Sequence, residues 1–483
     1  VPGTVSANAG SRGGTSGFLF PMGLTSKHFI NVITLGAPLL VGLIAEFFMY
    51  TADSAMVGRL GTDHLAAIGI ATMFAELLWV IVWPFAPGTQ ALAARRFGRQ
   101  KAALDNRPEV YQTLQYETGL VLDNALVVAF AAGVGAIGIA SFSHQILALL
   151  IDNIELIRKA DSYIGIIKYL MPIAGMFFAM HGFLAALNLT RVVMVASVGI
   201  NLLNVVFNYA LIFGKFGLPA MGIKGAAIGT LLAQSIGTAF LAVYILHAKE
   251  TQKYRCFRFN GLQGILMRDI FVAASPMIAQ LSVSMFIFLL YEALVESLGT
   301  VYLAVTHILF MTFVLVRTMI AGFAEGGSIL IGNHLGVGKR DEAVRYAYAV
   351  ELISMVIGAI LVTFIFMFPQ HIVGVFNQEP DTIALGIKGL RFISVFFFIS
   401  TIGFPIEVIF THNGWGRYAL FSEFVPVVTF TLGLTVLLVK VFNMGIYAAW
   451  LSCGLYIVFY TILLICGFFS KRWLEVEVES KAS

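Results

Sequence analysis

The chain has 483 residues, of which 59% are hydrophobic and only 12% are charged, and its formal net charge is +4. So few charged residues cannot cover a water-exposed surface, so the composition excludes a soluble protein and predicts an integral membrane protein. The positive charge is dispersed and forms no basic tract, which argues against nucleic acid as a partner. The three cysteines show no metal or disulfide spacing.

The first 22 residues are rich in Gly, Ser and Thr. They lack the charged start and apolar run of a cleavable signal peptide. We therefore predict a flexible leader over residues 1–27.

Twelve hydrophobic stretches follow, each long enough to cross a bilayer as a helix. They predict an all-α integral membrane protein, with spans at approximately 28–58, 65–92, 120–147, 161–187, 192–213, 222–247, 269–296, 302–331, 345–368, 388–411, 418–439 and 445–468. An even number of spans places both termini on the same side. The loops on that side carry most of the Lys and Arg residues, notably those at 95–107, 249–258 and 339–345. The positive-inside rule then predicts a multi-pass protein of the cytoplasmic (inner) membrane with both termini in the cytoplasm.

The chain is internally duplicated. Residues 57–101 return as residues 295–339 at a constant offset of 238 positions, so that Leu60-Gly61-Thr62 is matched by Leu298-Gly299-Thr300. The repeated unit is half a protein. We predict an N-lobe at 28–247, a cytoplasmic linker at 248–268, a C-lobe at 269–468 and a cytoplasmic tail at 469–483. Six spans per lobe give parallel repeats, related by an axis along the membrane normal.

Several segments resemble the multidrug and toxic compound extrusion (MATE) family of transporters. They read TADSAMVGRLGTDHLAA from Thr51, PGTQALAARRFG from Pro87 with its second-half partner GGSILIGNHLGVGKRDEA from Gly326, and NLTRVVM from Asn188. Together with the twelve spans, the likeness covers nearly the whole chain. It implies a V-shaped pair of six-helix bundles. It also implies export of amphiphilic, often cationic compounds in exchange for sodium or protons.

The resemblance assigns some residues and leaves other positions unfilled. Asp53 matches the family's span-1 acid, and Pro38 matches the proline at which that helix bends. The family's polar residue and acid in the span-5 region are placed at His181 and Ala185, so the acid is missing there. A span-7 glutamate of sodium-coupled relatives falls at Ser284. The resemblance therefore implies a rearranged second-lobe cation site.

The N-lobe candidates for ion coupling centre on Asp53, because an ionised Asp at a bilayer centre costs about 2.5–3.5 kcal/mol and usually marks function. The alternative is that Asp53 is near enough to the helix end to be hydrated. Asn201, Asn204 and Asn208 share one helix face and could be ligands or contacts between helices. His181 could itself carry an exchanged proton.

The C-lobe candidates are Glu292 and Glu296, one helical turn apart, and Arg317, which we place deep in a span. A structural salt bridge to Arg317 and a cation site are both open alternatives. Gln280, Ser284 and Glu407 are weaker candidates. The predicted coupling-cation residues are thus Asp53, Glu292 and Glu296. Their predicted substrate or coupling partners are His181, Asn204, Asn208, Gln280, Ser284, Arg317 and Glu407.

The function predicted from these features is a cation-coupled antiporter that exports drugs, toxins or a dedicated metabolite. We expect no enzyme activity, no cofactor beyond Na⁺ or H⁺, no ATPase subunit, contact with membrane lipid, and a monomer. One alternative is a flippase for a lipid-linked precursor, but such proteins usually add spans and line the cavity with several arginines. Another is a membrane-embedded transferase, which should show clustered His, Asp or Ser residues at a membrane face. The sequence does not identify the substrate.

Overall fold

A computed structural model of the chain describes residues 23–60, 62–106, 108–149 and 153–479. Most of the predicted leader lies outside these residues, and the first helix begins at Ser26. The described residues contain helices and no strand. The helices are α1 Ser26–Gly58, α2 Thr62–Val82, α3 Phe85–Asn106, α4 Pro108–Ala140, α5 Ser143–Ala148, α6 Ile154–Ile167, α7 Leu170–Ala186, α8 Thr190–Phe213, α9 Ile223–His247, α10 Lys249–Gln252, α11 Gly264–Glu296, α12 Thr300–Gly336, α13 Arg340–Met367, α14 Pro369–Phe376, α15 Pro380–His412, α16 Gly416–Pro426 with π-helical turns Val427–Leu434 and Leu437–Val441, and α17 Ile446–Ser470.

Within the described residues, eleven helical segments are long and apolar enough to cross a membrane, and the bent pair α6 and α7 raises the total to twelve. The pair bends by 47°. Helices α2 and α3 together supply one span, Ala66–Leu104. The predicted all-helical membrane fold is therefore confirmed.

The sequence-based prediction was wrong about the basic segment after the second span. Arg95, Arg96 and Arg99 were placed in a loop, whereas they lie on helix α3. The third span was expected to begin at residue 120, but α4 begins at Pro108. Hydropathy detects the lipid-buried part of a helix and not its continuation into water, so both helices were cut short.

The two lobes meet through glycine contacts that repeat across the duplication. A Cβ atom on Gly98 of α3 would lie 1.9 Å from the carbonyl oxygen of Asn333 on α12. A Cβ atom on Gly336 would lie 2.1 Å from the carbonyl oxygen of Arg95. The offset of 238 positions relates both Gly98 to Gly336 and Arg95 to Asn333. Each contact is therefore the counterpart of the other.

A second reciprocal pair reinforces this interface. A Cβ atom on Gly88 of α3 would lie 3.2 Å from the backbone nitrogen of Ala274 on α11. A Cβ atom on Gly326 of α12 would lie 2.5 Å from the backbone nitrogen of Gly36 on α1. The offset of 238 positions again relates Gly88 to Gly326 and Gly36 to Ala274. Small residues thus let the backbones of the two lobes approach closely.

Gly98→Ala tests this interface, because the added methyl group would meet a backbone carbonyl that cannot rotate away. We expect the close approach of α3 and α12 to be disfavoured by about 1–3 kcal/mol. The measurement is disulfide formation between Asn188→Cys and Asn333→Cys, whose native amides hydrogen-bond across the lobes at 3.0 Å. Gly138→Ala is the control, since a Cβ atom there meets no neighbour within 4 Å among the described residues. Equal cross-linking in both variants would contradict the prediction.

The predicted inter-lobe linker is tied to the N-lobe. The Asp123 carboxylate on α4 accepts hydrogen bonds from the backbone N–H groups of Phe257 and Phe259 at 2.6 and 3.1 Å. Asn124 accepts a third from the N–H of Gln263 at 2.8 Å. These bonds fix the segment that joins the lobes to the surface of one of them.

The tail after α17 crosses from the C-lobe to the N-lobe. Glu479 accepts hydrogen bonds from Arg96 Nε at 2.7 Å and from Arg99 Nη2 at 2.8 and 2.9 Å. The Val476 carbonyl accepts one from Arg95. Val478 packs against Gly414. We name residues 475–479 the tail strap; it joins the lobes at the end of the molecule where α3 carries its arginines.

The attachment of the tail strap is expected to depend on pH. Burial acts to raise the pKa of Glu479, but Arg96 and Arg99 outweigh it and hold that pKa below its ordinary value. A lowered folded-state pKa contributes stability above the unfolded pKa and loses it as pH falls through the folded value. The strap should therefore be fully attached at neutral pH and loosen in acid.

The test is the rate at which a carboxypeptidase trims the tail. We expect Glu479→Gln to weaken attachment by about 1 kcal/mol and to remove the acid-induced step. Glu475→Gln is the control, because its partner Arg340 is exposed and 3.3 Å away. An unchanged acid-induced step in Glu479→Gln would show that another group controls the tail.

Candidate ion and substrate sites

A polar network in the N-lobe is built around Asp53 by three helices. Asn208 Nδ2 donates to Asp53 Oδ1 at 2.8 Å. Asn204 lies one turn before Asn208 on α8 and contacts it at 2.9 Å, and it also contacts Thr230 Oγ1 on α9 at 2.9 Å. Asn204 and Asn208 are 1% and 0% exposed. The network therefore presents one carboxylate and several neutral oxygen atoms away from bulk water.

The Asn204 amide adds to the donors around Asp53. With its nitrogen toward Asp53, Asn204 donates to Oδ1 and Oδ2 at 3.0 and 3.1 Å and accepts from Thr230 at 2.9 Å. This orientation suits an ionised carboxylate, since a carboxylate only accepts. Asn204 and Asn208 thus both present donors to Asp53.

The structure places His181 apart from this network, although it was predicted as a partner of Asp53. His181 lies on α7, its ring centroid is 6.1 Å from that of Phe177, and its Nδ1 has no hydrogen-bond partner among the described residues. The polar pair four residues apart that reaches Asp53 is Asn204 and Asn208. The pair that contacts Asp53 thus lies on α8, and not at His181 and Ala185 on α7. Asn201, which was predicted on the same face, takes no part in the described network.

A second network lies inside the C-lobe and joins four helices. Gln280 Nε2 on α11 donates to Glu407 Oε1 on α15 at 2.8 Å and to Glu423 Oε2 on α16 at 2.5 Å. Ser284 also donates to Glu423, and the Tyr456 hydroxyl donates to it at 3.1 Å. Gln280, Glu407 and Glu423 are at most 8% exposed. Two buried carboxylates thus share one amide nitrogen.

Arg317 completes this network from α12. Its Nη2 donates to Glu407 Oε2 at 2.9 Å, and its guanidinium carbon lies 4.1 Å from the ring centroid of Phe404. One guanidinium against two carboxylates leaves one negative charge. A proton or a sodium ion could neutralise that charge.

Of the two alternatives left open for Glu292 and Glu296, the salt bridge to Arg317 is not formed, because Arg317 pairs with Glu407. Glu292 lies 3.7 Å from His307 instead, and Glu296 is exposed. The reason is axial distance, because twelve residues separate Gln280 from Glu292 and a helix rises about 1.5 Å per residue. Neither acid can reach the Gln280 level.

A third group of acids lies on helices of both lobes. The carboxylates of Glu46 on α1 and Glu76 on α2 repel each other, and Glu46 also repels Glu325 on α12 of the other lobe. Glu46 and Glu76 are exposed and Glu325 is half-buried, and we call the space between these three acids the cleft. The arrangement concentrates negative potential where the lobes face each other.

Sequence reasoning missed Glu46, Glu76, Glu325 and Glu423. Each is an acid inside a predicted span, and intramembrane acids are expensive enough to be functional by default. Applying that rule to every span, and not only to Asp53, would have found them. Their grouping across lobes could not be read from the sequence, since it depends on how the helices pack. Within the described residues, no group of three or more His, Cys, Asp or Glu side chains has the geometry of a metal site.

The chain matches the family model described as MatE over residues 38–210 and 276–437. It is 24% identical over 456 residues to a probable multidrug resistance protein NorM of Thermotoga maritima, with 92% of each chain covered. It is 25% identical over 329 residues to a probable NorM of Agrobacterium fabrum, with 68% of each chain covered.

Solved structures show the same fold at low sequence identity. The eukaryotic MATE transporter AtDTX14 superposes with a TM-score of 0.81 at 16% identity, over 93% of this chain and 97% of that chain. A multidrug resistance MATE family transporter in an outward-facing conformation superposes with a TM-score of 0.79 at 20% identity, over 92% of this chain and 95% of that chain. The predicted resemblance is therefore confirmed.

Proposed function

The chain belongs to the MatE family of membrane transporters, and we propose that it is a cation-coupled antiporter that exports amphiphilic cationic compounds across the cytoplasmic membrane, with both termini in the cytoplasm. The observation that carries the proposal is the buried network of Asp53, Asn204, Asn208 and Thr230. Multidrug resistance in the names of the NorM relatives supports an export role.

Asp53 is the proposed coupling residue of the N-lobe. Its carboxylate has amide donors on one side, and the cluster also offers amide and hydroxyl oxygens, which are suitable ligands for a hard monovalent cation. Proton and sodium are both compatible with this donor set. Binding of either would cancel the buried charge. Exchange requires that ion and substrate favour opposite states of the lobes.

The C-lobe network offers a second coupling position. Glu423 and Glu407 are held within reach of one amide, and Arg317 compensates only one of them. Two carboxylates this close repel each other when both are ionised, so the pair readily binds a single positive charge. We propose that this network binds a proton or sodium ion during the cycle.

The accessible acids Glu46, Glu76 and Glu325 support a cationic substrate. They stand on both lobes, so a cation between them is attracted by each wall. Exposed apolar side chains on the same helices, Phe47 and Leu77, can contact the apolar part of an amphiphile. The cleft therefore combines charge recognition with a surface for aromatic or aliphatic groups.

Reconstitution in proteoliposomes tests the proposal. Ethidium serves as the cationic probe, and transport is driven by a pure sodium gradient or by a pure pH gradient. We expect at least one of the two ion gradients to drive ethidium against its own concentration gradient. The variant Glu46→Gln should transport ethidium more slowly, whereas Glu296→Gln, outside the cleft, should match the parent. Failure of both gradients with folded protein would overturn the proposal.

A further inference from the structure

Glu351 on α13 is a buried acid that none of the networks above uses. It is 9% exposed, and both of its carboxyl oxygens are buried without a hydrogen-bond partner among the described residues. Among the described residues, Glu351 is the one acid whose two carboxyl oxygens are both buried without a hydrogen-bond partner. An ionised carboxylate in such surroundings would lose its hydration without compensation. The geometry therefore favours the protonated form.

Ser354 gives this acid a polar neighbour. It lies three residues later, on the same face of α13, and its Oγ is also buried without a partner in the described structure. Ser354 is 0% exposed. Three unpartnered oxygen atoms thus lie along one helix face inside the lobe. Such a group is uncommon, because buried polar atoms are ordinarily bonded.

Among the described residues, no charged group is paired with Glu351. Helices α1, α12, α14 and α15 pack against α13. On α12, Glu325 interacts with Glu46 of α1, and on α15, Glu407 is engaged with Arg317. No described side chain forms a hydrogen bond with either carboxyl oxygen of Glu351. Its charge state is therefore set by access to water.

The neighbouring helix contains a point at which access could change. A Cβ atom on Gly358 of α13 would lie 2.6 Å from Thr401 Oγ1 on α15. The helices run in opposite directions, so Ser354, four residues before Gly358, faces the level of Pro405, four residues after Thr401. Pro405 lies inside α15 and has no N–H to give to the Thr401 carbonyl. Helices bend at such places.

We propose that Glu351, with Ser354, is a proton-binding site of the C-lobe, closed in this structure and opened when α15 bends at Pro405 and moves off α13. On opening, the carboxyl O–H bond breaks, the proton passes to entering water, and the carboxylate is hydrated. On closing, the carboxylate takes up a proton again. The site rests on the proposed antiport function, which it extends by a proton carrier separate from Asp53 and from the Glu407 network.

Infrared spectroscopy of the purified full chain tests the closed form without any transport. The difference spectrum of parent minus Glu351→Gln at neutral pH should contain the carbonyl stretch of a protonated carboxyl group. The variant lacks this group. Glu296→Gln is the control and should show the loss of an ionised carboxylate, since Glu296 is exposed. Carboxylate bands in the Glu351 difference spectrum would overturn the proposal.

Proton release tests the open form. Ethidium is added to protein in weakly buffered detergent solution, and the released protons are measured with an indicator dye. Relative to the parent, Glu351→Gln should release fewer protons, by about one per transporter. Glu351→Asp, which keeps the acid, should restore the release. If the parent and Glu351→Gln release equal numbers of protons, the proposed proton exchange at Glu351 is overturned.

These outcomes separate the two proposals. Absence of ethidium transport and of proton release in the parent would overturn the antiport function, and with it the exchange at Glu351. The infrared spectra would still decide whether Glu351 is a neutral acid. Transport that is intact in Glu351→Gln under a pH gradient would overturn the Glu351 site and leave the antiport function standing.

Discussion

Asp53→Asn should abolish ion-driven export while leaving the protein folded. The variant keeps the shape of the side chain and removes the only carboxylate of the network formed with Asn204, Asn208 and Thr230. One coupled charge that crosses a membrane potential of about 100 mV releases about 2.3 kcal/mol. This free energy can sustain a roughly fifty-fold substrate concentration ratio across the membrane. Ethidium accumulation in proteoliposomes should fall by that factor or more.

Two comparisons make the Asp53 result specific. Asp53→Glu retains the charge and should keep part of the activity, whereas Asn208→Ala removes the 2.8 Å donor and should change the pH or sodium dependence of transport. Elution of Asp53→Asn as a folded monodisperse protein is required. A variant that is folded and exports at the parental rate would mean that the coupling charge lies elsewhere.

Arg317→Gln should cause the largest loss of stability among the variants considered. Arg317 is the only cation in the described C-lobe network, and its removal leaves Glu407 with Gln280 as its remaining donor. Breaking one side of a fully buried ion pair costs about 3–5 kcal/mol, and because the Arg317 side chain is 28% exposed we expect a loss toward the lower end of that range. The measurement is the thermal unfolding midpoint of the purified protein in one detergent at fixed concentration.

The Arg317→Gln/Glu407→Gln double variant provides the matched control. With both charges gone, no carboxylate is left uncompensated at Glu407, so the double variant should be more stable than Arg317→Gln alone. Arg317→Lys should recover only part of the stability, because an ammonium group lacks the planar face with which the guanidinium stacks on Phe404. A double variant less stable than the single one would contradict this account of the pair.

The spans and the duplication could be predicted because each depends on sequence order alone. Hydrophobic length gives the spans, and a fixed offset gives the repeat. Asn204 and Asn208 were correctly placed on one face because that face follows from helical periodicity.

Contacts between distant helices could not be predicted in the same way. A salt bridge from Arg317 to Glu292 or Glu296, which are near in sequence, was one of two open alternatives, but α15 brings Glu407 to Arg317. His181 was placed in the Asp53 network by analogy of spacing, and α8 occupies that position instead. The registers of antiparallel helices decide such partners, and a single sequence does not contain them. The signal that was available, an acid inside a span, was present at Glu46, Glu423 and Glu351.

The reciprocal glycine contacts between the lobes have a consequence for the origin of the protein. Gly98 contacts Asn333, and Gly336, the equivalent of Gly98 in the second half, contacts Arg95, the equivalent of Asn333 in the first half. This is the rule of a two-fold homodimer interface, in which the same patch is used twice. A half-length ancestor with these glycines could have paired with a second copy through this surface. Fusion of two such copies would let one carry Asp53 and the other Arg317 and Glu407 while both keep the glycine contacts that join them.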